Sequence, residues 1–317
     1  MIVSTHPGPW HEGEQAAQAR AGTAAHMAEI GPKVVRDFMP DQHRIFFGQL
    51  PWLFAGVLDR AGWPLATALT GTPGFVASPT STHLSVAALP QPDDPALEAF
   101  RPHSPIGLLG LEFETRRRNR ANGRIDTVGP DGFSVAVSQS FGNCAKYIQL
   151  RNRLPDGQES RGASVDVAAL DPAARALIAG ADTLFIASSA NAEAENGGVD
   201  ISHRGGRPGF VRVDGDTLTI PDFAGNNYFN TFGNLLSEPR AALLFVDFET
   251  GTILQLQGVT EIVWAGPELA GLGGAQRLWR FHVTRSWRRP HALPLRWSAP
   301  EFAPTTLQTG LWPAAAA

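Results

Sequence analysis

Two stretches decide the fold: GLLGLEFETRRRNRANG, from Gly107 to Gly123, and ALLFVDFETGTILQLQG, from Ala242 to Gly258. Both carry Leu-Leu, then an acid followed by Phe-Glu-Thr, and both close on a polar residue and Gly. Phe113 and Phe248 stand 135 residues apart, as do Gly123 and Gly258. A second pair keeps the same offset: GTPGFV from Gly71 and GRPGFV from Gly206. Upstream, Leu53-Phe54 in WLFAGVLDRAGWP faces Leu184-Phe185 in TLFIASSANAEAENGG at an offset of 131. Before each lies a short helical pattern with Pro near its first turn, PDQHRIFFGQL and DPAARALIAG, where the missing N–H costs nothing. Four features in one order read as an internal duplication.

The segments between are short, rich in β-branched and aromatic residues, and bounded by Gly, Asp or Asn: TLFIAS, GFVRV, TLTI, AALLFVDF, ILQLQGVTEIV. They read as strands. The expectation is a mainly β protein with short helices, built as two tandem split β-barrels of about six strands each, packed as a pseudo-dimer. The boundaries are an N-terminal extension 1–31, a first unit 32–153, a second unit 166–290 and a C-terminal tail 291–317.

Bulk composition agrees. The 317 residues suit two units, and 33 glycines with 25 prolines suit strands and turns better than long helices. One cysteine excludes a disulfide framework and a CxxC-type zinc site. A net charge of −4 gives no general attraction to nucleic acid or to an anionic membrane. MIVSTHPGPWHEGEQ has no signal-peptide pattern, and IFFGQLPWLFAGVL is too short and broken to span a bilayer. A soluble, cytoplasmic protein is expected.

Alternation along the strand after each FET separates two faces. Leu254 and Leu256 share one; Ile253, Gln255 and Gln257 share the other. By the offset, Asn119 and Ala121 point inward, and Arg118, Arg120 and Asn122 outward. RRRNR reads as a solvated strand end, as a nucleic-acid patch, or as a clamp for a small anion. The acidic chain and the lack of an aromatic platform argue against nucleic acid, whereas forked guanidinium donors match phosphate oxygens. In the second copy, Arg204 and Arg207 flank Gly205 and Gly206, and Asn226, Asn227, Asn230 and Asn234 supply amides. Any one of these Asn residues is explained by an ordinary turn; together with the arginines they point to a phosphate-bearing ligand. No Rossmann or Walker spacing occurs in context. His203 reads as a loop histidine able to donate a proton, Cys144 as a small strand-end residue with Asn143 and Lys146 nearby, and Trp279, Trp287 and Trp297 as packing or lid residues.

RGGRPGFVRV, GNNYFNTFGNLLSEPRAALLFVDFETG and LQLQG resemble the pyridoxamine 5′-phosphate oxidase-like FMN-binding split barrels. QSFGNCAKYIQLR is similar to the FGNCPKYI ending of related flavin-nucleotide-binding proteins, with Ala145 in place of Pro. With RRRNRANGR and HPGPWHEGEQ, the resemblance covers nearly the whole chain. It implies FMN at the seam between two split barrels. It points to Arg207, Phe210, Val211 and Arg212 along the flavin, to Asn230 and Thr231 where the family uses Ser-Arg-Lys on the phosphate, and to Gln255 near a strand glutamine. Arg204 or an arginine of the other copy substitutes on the phosphate. No match to residues for a pyridoxamine phosphate substrate is found. Larger relatives continue past a segment like RRPHALPLRW into an iron–sulfur flavin reductase; here the chain ends in LWPAAAA, so reducing equivalents are expected from free NAD(P)H or a separate reductase. The implied function is an FMN-dependent oxidoreductase acting on a small molecule. The alternative is a non-catalytic protein that binds or senses a flavin, a deazaflavin or haem. The catalytic residue, the number of flavins per chain and homodimer formation are left open.

Overall fold

The computed structural model describes residues 8–157, 160–167, 169–191 and 196–312. The first seven residues of the extension, part of the AEAENGG turn and the final PAAAA lie outside the described residues.

Seven strands make the first sheet: β1 (Trp52–Leu58), β2 (Pro64–Thr70), β3 (Val76–Thr80), β4 (His83–Val86), β5 (Pro105–Glu112), β6 (Arg117–Gly129) and β7 (Gly132–Gly142). Two short strands follow, β8 (Arg153–Leu154) and β9 (Val165–Val167). The second sheet has β10 (Thr183–Ser189), β11 (Val199–Gly205), β12 (Arg212–Asp214), β13 (Thr217–Phe223), β14 (Arg240–Val246), β15 (Ile253–Val263) and β16 (Ala275–Arg289). Near the end β17 (Arg296–Trp297) pairs with β8, and β9 adds to β16.

The first sheet runs β2-β1-β5-β6-β7-β4-β3, and the second runs β11-β10-β14-β15-β16-β13-β12. Adding nine to each label of the first order gives the second. Both paths are open among the described strands: no pairing joins β2 to β3 or β11 to β12. Two of the four edge strands are covered by the opposite unit, β2 lying on β10 and β14, and β11 on β1 and β5.

The repeated motifs sit where the backbone demands them. Gly123 and Gly258 each follow a β-bulge, after Asn122 and after Gln257. A Cβ there would fall 2.0 Å from the Ala136 carbonyl oxygen, or 2.3 Å from that of His282. GTPGF and GRPGF are turns, not strand as the sequence suggested. Phe75 N–H donates to Thr72 O and Phe210 N–H to Arg207 O, with Gly74 and Gly209 at φ of 99° and 86°.

Alternation sorts three apolar clusters. Leu53, Leu108 and Ala121 face the first unit's core, and Leu184, Leu243, Leu254 and Leu256 the second's. The opposite faces meet at the seam, where Phe54, Leu109, Phe185, Leu244 and Ile253 pack with Leu293 and Trp297 from the tail.

The longer helices are α1 (Glu12–Arg20), α2 (Ala24–Val34), α3 (Asp41–Gly48), α4 (Pro172–Gly180) and α5 (Asn230–Ser237). A capping box between His11 and Glu14 starts α1. The extension crosses to the second unit: His11 Nε2 lies 3.0 Å from Asn234 Oδ1, and Gln18 Nε2 donates to Tyr228 O at 3.2 Å. Among the described residues no helix is long and apolar enough to cross a membrane.

Candidate functional site

The outward face of β6 meets the edge strand β11 across the seam. There Arg118, Arg120 and residues of β11, β13 and the loop into α5 line a cleft open to solvent, about 750 Å³ with the open space at its mouth included. Arg118, Arg120, Lys146, Arg204 and Arg277 line it, with Asp222 the one carboxylate among the described lining residues. Asp200 stands just behind.

Each arginine has a distinct fate. Arg120 is buried and donates to Asp200 (2.8 Å), Ser202 (2.6 Å) and Asn230 (3.0 Å). Arg204 donates to Asp222, and Arg277 lies 3.0 Å from the same carboxylate. Among the described residues Arg118 has no carboxylate partner: it donates to His203 Nδ1 at 3.0 Å and His203 O at 3.3 Å, and lies 4.0 Å from Cys144 Sγ. Burial, with Arg120 and Arg204 adding repulsion, pushes its pKa down to about 10. A buried guanidinium without a counter-ion is costly and has the forked donors that match an anion's oxygens.

Other polar groups are held in an unusual state. Burial raises the Asp200 carboxyl and lowers the His203 imidazole well below its ordinary value, the latter helped by Arg118, Arg204 and Arg120. Glu14, reaching in from α1, accepts from Asn230 Nδ2 at 2.6 Å and from His11 N–H at 2.9 Å, and burial pushes it up to about 8. Arg118, Arg120, Asn143, His203, Arg204 and Arg277 each retain a buried polar atom with no partner, and all six line the cleft. Such atoms are costly unless a ligand or water meets them. Three lining residues other than glycine, Tyr147, Asn227 and Phe229, also hold positive φ, a backbone state that gathers at functional sites.

Of the residues singled out from sequence, Arg118, Arg120, Arg204, Asn226, Asn227, Asn230 and Thr231 line this cleft. Thr231 donates to Ser202 Oγ at 2.8 Å. Asn122 lies beneath, 3.4 Å from Asp200, in a smaller polar cavity shared with Glu14. The run from Arg207 to Arg212 lies elsewhere. Arg207 donates to Thr309 O at 2.6 Å; Phe210 and Val211 are buried in the second core; Arg212 pairs with Glu268 at 3.2 Å and covers the Trp312 ring. The turn at Gly209 carries this segment off the seam, and the tail covers it. His203 is in strand β11 and buried, not in a loop. The sequence reading overlooked Arg277, Asp222, Tyr147 and Glu14. Arg277 and Asp222 are directly opposed across β16 and β13, a pairing that no local motif signals.

Gln255 lies at the mirror-related seam, where β15 faces β2. Its Nε2 donates to Ala66 O and to Asp94 Oδ1, both at 2.9 Å. By the 135 offset, Thr67, Ala68 and Leu69 stand where the open cleft has Ser202, His203 and Arg204. Asp94 fills the space, bound to Thr67 (2.5 Å) and to Arg289 (2.8 Å). One seam is open and cationic; its mirror is closed by a buried ion pair. Among the described residues no group of three His, Cys, Asp or Glu side chains is placed to hold a metal ion.

Residues 170–293 match the family model described as pyridoxamine 5′-phosphate oxidase. Over that stretch the sequence is similar to the pyridoxamine 5′-phosphate oxidase-like split-barrel family. No curated protein matches the sequence at a significant level. Among solved structures, HupZ of Group A Streptococcus is 18% identical over 37% of this chain and 91% of its own, with a TM-score of 0.29. A putative pyridoxamine 5′-phosphate oxidase from Lactobacillus delbrueckii is 13% identical over 39% and 97%, with a TM-score of 0.32. A FAD-binding protein from Mesorhizobium loti is 10% identical over 40% and 97%, with a TM-score of 0.27. TM-scores this low give none of the three any bearing on the cofactor.

Proposed function

We propose that the open seam binds one FMN per chain and that the protein is a flavin-dependent oxidoreductase. The observation that carries this reading is Arg118, a guanidinium without a carboxylate partner among four further cations in a concave site. An anion with several oxygens answers that surplus, and a phosphate monoester does so with forked hydrogen bonds. Arg118 and Arg120 would hold the phosphate end, with Arg204 and Arg277 behind them. The Asn226, Asn227 and Asn230 amides and the Thr231 hydroxyl offer the polar partners that a ribityl chain and a heterocycle require. Tyr147, Phe223 and Phe229 bring the aromatic surface suited to a flat ring.

A bound flavin would supply hydride or electron transfer, and the chain's own residues would bind it, orient it and shape access to it. NAD(P)H or a separate reductase would be the electron source, and a small molecule the acceptor. The matching strand orders and the shared offset support descent of both units from one split-barrel unit. The Asp94–Arg289 closure of the mirror seam supports one ligand per chain.

The test is the absorption spectrum of the purified chain, or of the chain reconstituted with FMN, together with a flavin-to-protein ratio. Oxidised-flavin bands at a ratio of one support the reading, and bleaching by NAD(P)H with recovery in air supports catalysis. A chain that stays colourless in excess FMN, or that shows a Soret band, would sink it.

A further inference from the structure

His203 sits between the cleft and the seam core, 4% exposed, with its ring edge-on to Phe185 at 5.7 Å. Its Nδ1 lies 3.0 Å from Arg118 Nη1. A guanidinium only donates, so Nδ1 must accept, and the neutral ring carries its proton on Nε2. That Nε2 is buried and has no partner among the described residues. An unmet donor therefore stands at the cleft wall.

Resting on the flavin reading above, we infer that His203 is a specificity-determining residue: a neutral Nε2–H donor, locked in that tautomer by Arg118, which selects a ligand presenting a hydrogen-bond acceptor such as a ring carbonyl. The unpaired N–H is a cost in the free protein that an acceptor removes and a second donor would deepen. Burial and the charges of Arg118, Arg204 and Arg120 disfavour the imidazolium, so the group offers one donor and does not switch to two. The same tautomer bears on haem. A metal-binding imidazole needs a free lone pair on the ligating nitrogen and commonly donates from the other. In His203 the nitrogen without a partner carries the proton, and the other accepts from a cation.

The experiment uses the full chain, labelled with ¹⁵N-histidine, and FMN as the probe. The expected result is a protonated Nε2 and an unprotonated Nδ1 for His203 between pH 6 and 8, with the Nε2 proton moving downfield when FMN is added. His203→Phe should weaken FMN about ten-fold, as loss of one neutral hydrogen bond does. It should also raise a carbonyl stretching frequency of the bound ring, a change that altered packing alone would not give. His203→Gln, which keeps an N–H, should recover part of both effects. An Nδ1–H tautomer or an imidazolium in this range would overturn the inference. So would a His203→Phe variant with unchanged affinity and unchanged carbonyl bands while the wild type binds FMN. If the wild type binds neither FMN nor inorganic phosphate, the reading of the cleft fails first and this inference falls with it.

Discussion

Phe54 and Phe185 stack across the seam with ring centroids 3.7 Å apart and planes 19° from parallel. They occupy corresponding positions on β1 and β10, so each unit presents to the other the ring it receives. Both are fully buried. Truncating either to Ala should cost about 3–5 kcal/mol. Because the rings share one contact, the double variant should cost less than the sum of the singles. Urea unfolding of the four proteins checks this; strict additivity would mean that the units do not depend on this pair.

Arg118 predicts opposite responses of binding and stability. Arg118→Gln should weaken FMN and inorganic phosphate by about ten- to one hundred-fold, the range for hydrogen bonds to a charged group. The wild-type affinity should fall with added salt more steeply than that of the variant. The ligand-free variant should be no less stable, since the guanidinium is held against burial without a carboxylate partner. Its folded pKa, about 10, lies below the ordinary arginine value. The charged form is therefore disfavoured in the fold at all lower pH, and the cost is relieved only above pH 10. Isothermal titration and thermal melts separate the two effects. Loss of stability without loss of phosphate binding would contradict them.

Asp94 should matter to folding and not to the open cleft. It accepts from Arg289, Thr67, Gln255 and the Ala96 amide. Among the described residues, Asp94→Ala leaves the buried Arg289 with Asp93 and Gln91. A loss of about 3–5 kcal/mol is expected, with FMN stoichiometry still one. A stoichiometry of two in a folded Asp94 variant would mean that the mirror seam had reopened as a ligand site.

The repeated sequence markers sit where geometry leaves little choice: Gly123 and Gly258 after bulges, and Gly74 and Gly209 in left-handed turns. The face of β6 that carries Arg118 and Arg120 was legible because strand alternation has a period of two. Arg207 and Arg212 lie off the cleft for a reason local sequence does not contain. Each is engaged by tail or surface groups far along the chain, Thr309 and Glu268, after a turn that had read as strand. Arg277 and Glu14 join the site from β16 and α1, through contacts formed only when distant segments meet. Gln255 has the right face but belongs to the closed seam, and only the packing of Asp94 distinguishes the two.

Glu14 gives a stability profile with a definite sign. The residue is 4% exposed and its carboxyl accepts from Asn230 and the His11 amide, yet burial outweighs these bonds and holds the folded pKa near 8, against an ordinary 4.5. Below pH 4.5 both states are protonated and Glu14 imposes no charge penalty. As pH rises from 4.5 to 8 the unfolded chain releases this proton and the fold retains it, so stability falls. The limit is about 4–5 kcal/mol at roughly 1.4 kcal/mol per pH unit. Asp200, also raised by burial, adds to the decline. His11, lowered by burial, acts the other way, costing stability as pH drops below its unfolded value. Glu14→Gln should therefore flatten the alkaline side of the profile while leaving the acid-side loss due to His11. It gives up one acceptor, to Asn230 or to the His11 amide, at about 1–3 kcal/mol, so its stability at pH 5 should be below wild type and the two curves should cross before pH 8. Parallel curves across that range would show that the Glu14 carboxyl is already ionised in the fold, and the buried proton would have to be assigned elsewhere.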